Sequence, residues 1–94
     1  MKEKDIEAKV VRWARANGFL VYKFVSPGRP SVPDRMFIAP GGCVLFIEFK
    51  QSGKTPTARQ MQEIARLEHQ GCQVVTTDDA EKAIKWLKFQ QLVG

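Results

Sequence analysis

Residues 31–50, SVPDRMFIAPGGCVLFIEFK, decide the fold of this 94-residue chain. Two apolar runs flank the turn Pro40-Gly41-Gly42, and this pattern predicts a β-hairpin. Three charged residues nevertheless lie at the ends of the two strands: Asp34 opens the first strand, and Glu48 and Lys50 close the second. Charged side chains in an otherwise apolar hairpin require a chemical reason.

The length of the turn determines how the two strands pair. A three-residue loop at 40–42 sets Asp34 directly across from Glu48 on one face of the sheet, with the Cβ atoms about 5 Å apart. A four-residue loop would place Asp34 opposite Phe49 instead and would separate the two acids. We favour the three-residue loop because it also groups apolar residues with one another. Strand alternation then turns Lys50 to the same face as Glu48.

The two acids predict a metal site. Carboxylates directly across a strand pair repel one another, and a cation between them removes the conflict. Hard cations such as Mg²⁺ bind one or two carboxylates together with waters and substrate phosphate oxygens. An ammonium group on the same face can orient a water molecule, help to deprotonate it or balance the charge of a phosphate. The residues therefore predict a divalent-metal site that acts on a phosphodiester.

The charge distribution indicates a polyanionic partner. The net charge is +5, and residues 8–62 contain nine Lys or Arg but only two acids, Asp34 and Glu48. The two cysteines and the single histidine form no zinc-binding pattern. The N-terminus is too charged for a signal peptide, and no apolar run approaches the length of a membrane span. We therefore expect a cytoplasmic protein with reduced cysteines.

The remaining periodicity predicts an α/β fold in one domain, residues 1–94. The elements are a helix at 4–17, a strand at 19–25, the hairpin, a helix from 55 to about 70, a strand at 72–76 and a last helix capped by Asp78 or Asp79. The second helix is expected to have Thr55 as N-cap and Pro56 in its first turn. Its inner side is expected to carry Met61, Ile64, Ala65 and either Leu67 or Glu68.

Four motifs in order resemble the VRR-NUC (virus-type replication–repair nuclease) domain of the PD-(D/E)xK nuclease superfamily. They are an early helical acid at Glu7, the turn Val32-Pro33-Asp34, the E-x-K sequence Glu48-Phe49-Lys50, and a helix opened by Thr55-Pro56 that carries Gln60. The match covers residues 7 to about 88. The resemblance implies a restriction-endonuclease-like αβββαβ core, a small mixed sheet flanked by helices. Two positions depart from the family pattern: Ser31 replaces a common glycine, and Arg35 replaces a common aliphatic residue.

By this resemblance, the chain is expected to be a Mg²⁺- or Mn²⁺-dependent endodeoxyribonuclease. It looks like the stand-alone members that resemble Holliday-junction resolvases, which act as homodimers on four-way DNA. The implied metal ligands are Glu7, Asp34, Glu48 and the backbone carbonyl of Phe49. The implied catalytic residues are Glu7, Asp34, Glu48, Lys50, which would act on the attacking water, and Gln60, which would support the site. The predicted DNA contacts are Arg29, Ser31, Arg35, Lys54 and Arg59.

The site residues also have simpler structural interpretations. Glu7 can be a solvated acid that favours the dipole of the first helical turn, and a capping box can account for Gln60. Asp34 can be a turn-forming residue after proline. Glu48 and Lys50 can form a structural arrangement at a sheet edge.

The whole chain has alternative interpretations as well. The proline-rich loop that contains Arg29 can be a rigid connector without any contact to DNA. The basic residues can belong to a non-catalytic nucleic-acid-binding module, in which the acids no longer act. The chain can also be an accessory subunit of a replication or repair complex, inactive as a homomer.

Overall fold

A computed structural model describes residues 1–93 of the chain. The elements are α1 (Glu3–Ala16), β1 (Leu20–Lys23), β2 (Arg35–Ile38), β3 (Val44–Phe49), α2 (Ala58–His69), β4 (Gln73–Thr77) and α3 (Ala80–Val93). This order confirms the predicted αβββαβ core, followed by a third helix. None of the helices in residues 1–93 has the length and apolar character that a membrane span requires.

The four strands form one mixed sheet in the order β1-β2-β3-β4. The first three strands pair antiparallel, whereas β4 runs parallel to β3 after the crossover through α2. Arg35 pairs with Ile47 in the hairpin, so the next position of the same register sets Asp34 opposite Glu48. This register confirms the three-residue loop that was favoured from the sequence.

Helices α1 and α3 cover one face of the sheet. The buried cluster on that face includes Ile6, Val10 and Ala14 of α1, Ala83 and Leu87 of α3, and Phe37, Leu45, Ile47 and Phe49 of the strands. Each large side chain buried in this way stabilises the fold by about 1.5–3 kcal/mol. Glu48 lies between two of these core residues in β3, so strand alternation turns its side chain to the opposite face, where α2 packs.

The start of α2 differs from the prediction. The N-cap is Thr57, two residues after the expected Thr55, and Pro56 precedes the helix. The Thr57 hydroxyl accepts the Gln60 backbone N–H at 3.1 Å, and the Gln60 side chain accepts the Thr57 backbone N–H at 2.9 Å. This reciprocal capping box satisfies two backbone donors at once, so it determines the start more strongly than the Thr-Pro pair.

The inner side of α2 also differs from the prediction. Ile64 and Leu67 are half-buried as expected, but Met61 is 59% exposed and Ala65 is exposed. The buried residue of this helix is Glu63. The periodicity of apolar residues cannot predict that Glu63 is buried. An acid can be buried when a basic side chain pairs with it, and its own hydropathy does not reveal that partner.

Glu63 also connects α2 to the loop between β1 and β2, through an ion pair with Arg29. The Nε atom of Arg29 donates to both carboxylate oxygens of Glu63, at 2.7 and 3.2 Å. In the same loop Ser31 has φ of 68°, and no other non-glycine residue in positions 1–93 has a positive φ. Glycine adopts this left-handed conformation without steric cost, whereas serine does not.

Candidate active site

Asp34 and Glu48 meet at the end of the hairpin that lies away from its turn. Asp34 is half-buried, and its Oδ2 atom accepts the backbone N–H of Phe49 at 2.9 Å. Burial raises the pKa of the Asp34 carboxyl, and the negative charges of Glu3 and Glu7 raise it further, whereas the Phe49 hydrogen bond acts in the opposite direction. The strand pairing thus fixes one carboxylate beside the other.

Glu48 is the most deeply buried acid of the site, with 3% of its surface exposed. Its Oε2 atom accepts the Nε2–H of Gln60 at 2.7 Å and lies 3.4 Å from the Nζ atom of Lys50. Burial, followed by the charge of Asp34, raises the pKa of Glu48 to about 7, and the Lys50 ammonium acts in the opposite direction. A positive charge between the two carboxylates would stabilise the ionised form of Glu48 and so lower its pKa.

The two acids fit a hard divalent cation. In residues 1–93, the second oxygen of each carboxylate, Asp34 Oδ1 and Glu48 Oε1, accepts no hydrogen bond. No group of three or more His, Cys, Asp and Glu side chains in the same residues is arranged to hold a metal. Two carboxylates with free oxygens nevertheless suit an ion such as Mg²⁺, which keeps several waters and takes further ligands from substrate phosphates.

The structure does not bring the predicted third ligand, Glu7, into this pair. Glu7 Oε2 accepts from the Nε atom of Arg35 at 2.6 Å, and both side chains are largely buried, with 22% and 19% exposed. Strand alternation turns Arg35 away from Asp34 and toward the α1 face of the sheet. The arginine that departs from the family pattern therefore has a partner in the first helix. A metal-binding role for Glu7 stays a prediction.

Sequence reasoning missed a second acid of the first helix. The negative charge of Glu3 raises the pKa of both Asp34 and Glu48, and at Asp34 it acts more strongly than that of Glu7. The start of α1 is held near the end of the hairpin because the N-terminal amino group donates to Ser52 Oγ at 3.2 Å. The i, i+4 spacing of Glu3 and Glu7, which puts both on one side of the helix, is the signal that could have revealed it.

Gln60 forms the capping box and also contacts Glu48, while its role in supporting the active site stays a prediction. It closes the capping box with Thr57, and its Nε2 atom donates to Glu48. The two interactions use different ends of one amide, since the Oε1 atom accepts the Thr57 N–H while the Nε2 atom faces the acid. The cap therefore fixes the orientation of the amide and directs its donor toward Glu48.

The predicted DNA contacts fall into two groups. Arg29 and Arg35 are engaged in ion pairs with Glu63 and with the first helix, respectively. Lys54 and Arg59 are exposed and form no ion pair with residues 1–93. The fifth, Ser31, lies at the left-handed position of the loop. Among the predicted DNA contacts, Lys54 and Arg59 are therefore the basic residues whose charges are available to bind a phosphate.

Two comparisons relate the chain to known proteins. A curated relative from Acyrthosiphon pisum secondary endosymbiont phage 1, named "Putative nuclease p44", is 43% identical over 81 residues, which cover 86% of this chain and 87% of the relative. A solved structure described as a VRR_NUC domain has a TM-score of 0.84 and 27% identity, and covers 94% of this chain and 96% of that chain. The chain belongs to the VRR-NUC family. A scan against family sequence models gives no match.

The VRR-NUC assignment confirms the resemblance that the four motifs indicated. Three helices and a four-stranded mixed sheet match the VRR-NUC fold. The family is one of nucleases, and PD-(D/E)xK-like folds of this kind generally use divalent metals. In this VRR-NUC chain, Asp34, Lys50 and Gln60 lie around Glu48.

Proposed function

We propose that the chain is a divalent-metal-dependent DNA endonuclease. The observation that supports this most directly is the environment of Glu48, a 3%-exposed carboxylate opposite Asp34 with its pKa raised to about 7. A purely structural residue at this position would be more stable as a neutral side chain, because burying a carboxylate beside another costs free energy. A carboxylate kept there despite this cost suggests a chemical role.

In this proposal each residue has a defined task. Asp34 and Glu48 hold Mg²⁺ or Mn²⁺, and the backbone carbonyl of Phe49 is a further candidate ligand. The ion, when bound, supplies Lewis-acid stabilisation of the charge on the phosphate and on the leaving oxygen. Lys50, whose Nζ atom is 3.4 Å from Glu48, orients the attacking water, and Gln60 holds the Glu48 carboxylate in place at 2.7 Å.

We infer further that the substrate is branched DNA, with four-way junctions as the leading candidate, and that the protein acts as a homodimer. The radius of gyration of 12.6 Å makes one copy small beside a junction with four duplex arms. Two copies related by a twofold axis present two equivalent active sites, one for each of the two strands to be cut. Exposed apolar side chains on the edge strand β1, Leu20 and Tyr22, support contact with another chain.

A substrate panel with Glu48→Gln tests this function. Linear, flapped, splayed and four-way DNA are incubated with Mg²⁺ and with Mn²⁺, and products are resolved on denaturing gels. The wild type is expected to cut the four-way substrate, and Glu48→Gln to lose roughly a hundredfold or more of the rate while still binding the DNA. The matched control is Glu68→Gln, an exposed acid of α2, which is expected to cut like the wild type.

The outcomes separate the candidate functions. Equal cutting by Glu48→Gln and the wild type would contradict the catalytic assignment. Binding by the wild type without cleavage of any substrate, in either metal, would favour a non-catalytic module instead.

A further inference from the structure

A basic groove along α1 has no role in the chemistry proposed above. It lies between α1 and the start of β2, and its cavity volume is about 480 Å³. Its lining residues are Lys4, Glu7, Ala8, Val11, Arg12, Arg15 and Arg35, which we call the α1 groove. Four of the seven are basic and one is acidic, so the groove has an excess of positive charge.

Most of this charge is not balanced by ion pairs within residues 1–93. The one acid of the groove, Glu7, is paired with Arg35 at 2.6 Å. Lys4, Arg12 and Arg15 are exposed and form no ion pair with residues 1–93. Their spacing puts all three on one side of the helix, where like charges repel. An external anion would remove that repulsion.

The neighbouring side of α1 carries a basic residue that is paired within the fold. Lys9 of the same helix is paired with Glu81 of α3, with its Nζ atom 2.8 Å from the carboxylate. The basic residue that faces another element of the fold therefore has an acidic partner. The exposed basic residues of the groove have none in residues 1–93.

The groove adjoins the candidate active site, although Arg35 and Asp34 point to opposite faces of the sheet. Arg35 follows Asp34 directly in the chain, and the charge of Glu7 acts on the Asp34 carboxyl. From Lys4 to Arg15 the helix rises about 16 Å, at 1.5 Å per residue. This length corresponds to roughly five base-pair steps of a duplex at 3.4 Å each.

We propose that the α1 groove binds the backbone phosphates of a duplex DNA arm that adjoins the candidate active site. This inference rests on the proposed function, because it takes DNA to be the substrate held at Asp34 and Glu48. The lining contains no aromatic side chain on which single-stranded bases could stack. Guanidinium and ammonium groups without an apolar platform suit phosphate contacts, which position a duplex independently of its sequence.

The salt dependence of binding tests the groove. Fluorescence anisotropy of a labelled duplex and of a four-way junction is measured without divalent ions, from about 50 to about 200 mM KCl. Each phosphate contact that is lost is expected to reduce the slope of log K against log salt by about 0.9, so Arg12→Ala/Arg15→Ala should reduce it by about 1.8. Arg12→Lys, which keeps the charge, should keep most of the slope.

The single variant Arg12→Ala is matched by Lys85→Ala, which likewise removes one positive charge, from an exposed position on α3 outside the groove. The slope of Lys85→Ala should stay close to that of the wild type. Thermal melting of every variant checks that the fold is kept. Equal reductions in Arg12→Ala and Lys85→Ala would overturn the inference, because net charge alone would then govern binding.

The experiments distinguish an error in the groove inference from an error in the proposed nuclease function. If the wild type cuts junctions but the groove variants bind with an unchanged salt slope, the groove inference is wrong and the proposed function stands. If no metal supports cleavage but the slope falls selectively in the groove variants, the groove is supported and the catalytic proposal is wrong.

Discussion

Ser31 has a backbone conformation that is costly for any residue other than glycine. Its φ of 68° lies in the left-handed region, which costs a non-glycine residue about 1–2 kcal/mol. Replacement by glycine relieves this cost but gives the unfolded chain more freedom, a loss of about 0.4–1 kcal/mol. We therefore expect Ser31→Gly to raise the free energy of unfolding by about 0.5–1 kcal/mol in urea titrations.

The matched control for this prediction is Ser26→Gly, in the same loop. Ser26 has no positive φ, so its replacement brings only the entropic loss and is expected to destabilise by about 0.4–1 kcal/mol. A decrease of the same size in both variants would show that the backbone at Ser31 is not strained.

The raised pKa of Glu48 predicts how the stability of the protein depends on pH. Its pKa is raised from 4.5 to about 7 by burial and by the charge of Asp34. Between these pH values the unfolded chain has lost the proton that the folded protein still holds, so rising pH favours the unfolded state. The stabilisation is full below pH 4.5 and lost as pH rises through about 7. The metal-free protein should thus lose on the order of 1–3 kcal/mol of stability across this window.

Glu48→Gln checks the assignment of this effect. The amide does not titrate, so the difference in unfolding free energy between variant and wild type should be small near pH 4.5 and should favour the variant above about pH 7. Glu68→Gln, an exposed substitution, should give a difference that does not change with pH. A constant difference for Glu48→Gln would contradict the raised pKa.

At the scale of elements, the ion pair of Arg29 and Glu63 joins the loop that leads to Asp34 with the helix that carries Gln60. Glu63 has 8% of its side chain exposed and Arg29 48%, and their closest atoms are 2.7 Å apart. A double-mutant cycle with Arg29→Ala and Glu63→Ala, measured by urea unfolding, should give a coupling energy of about 1–2 kcal/mol.

Arg59 provides the comparison for that cycle. It lines the same cavity as Arg29 and Glu63 but forms no ion pair with residues 1–93. The cycle of Arg59→Ala with Glu63→Ala should therefore give a coupling energy near zero. Similar coupling in both cycles would mean that Glu63 responds to the general positive field and not to a specific partner.

The elements also show which features a sequence can predict. The hairpin register was predictable because alternation, turn length and the position of Asp34 all depend on neighbouring residues. The inner side of α2 was not predictable from the sequence, because Glu63 is buried through its pairing with Arg29, 34 positions away. The Glu7–Arg35 pair, 28 positions apart, was hidden for the same reason. Sequence patterns predict the functional residue types, but only the folded chain determines which charges pair.

At the scale of the whole molecule, the arrangement of charge and apolar surface favours two copies on one DNA. A single chain has a mass of 10.7 kDa, and we expect sedimentation or light scattering to give twice that mass for the free protein. β1 is an edge strand, and Leu20 is 55% exposed on it. An edge strand with exposed apolar side chains is a suitable surface for pairing with a second chain.

A mixed dimer provides the decisive measurement. Wild type and Glu48→Gln are co-expressed with different affinity tags, and the mixed species is isolated by successive purification on both. The substrate is a four-way junction extruded from a supercoiled plasmid, where one cut gives a nicked circle and two opposed cuts give a linear product. In the proposed mechanism, resolution requires two active sites in one dimer. The mixed species should therefore produce mainly nicked circles, while the wild-type dimer should produce linear DNA. A linear product from the mixed species at half the wild-type rate would mean that each copy cuts independently. The proposed requirement for two paired active sites would then be wrong, although the chemistry assigned to Glu48 would be unaffected.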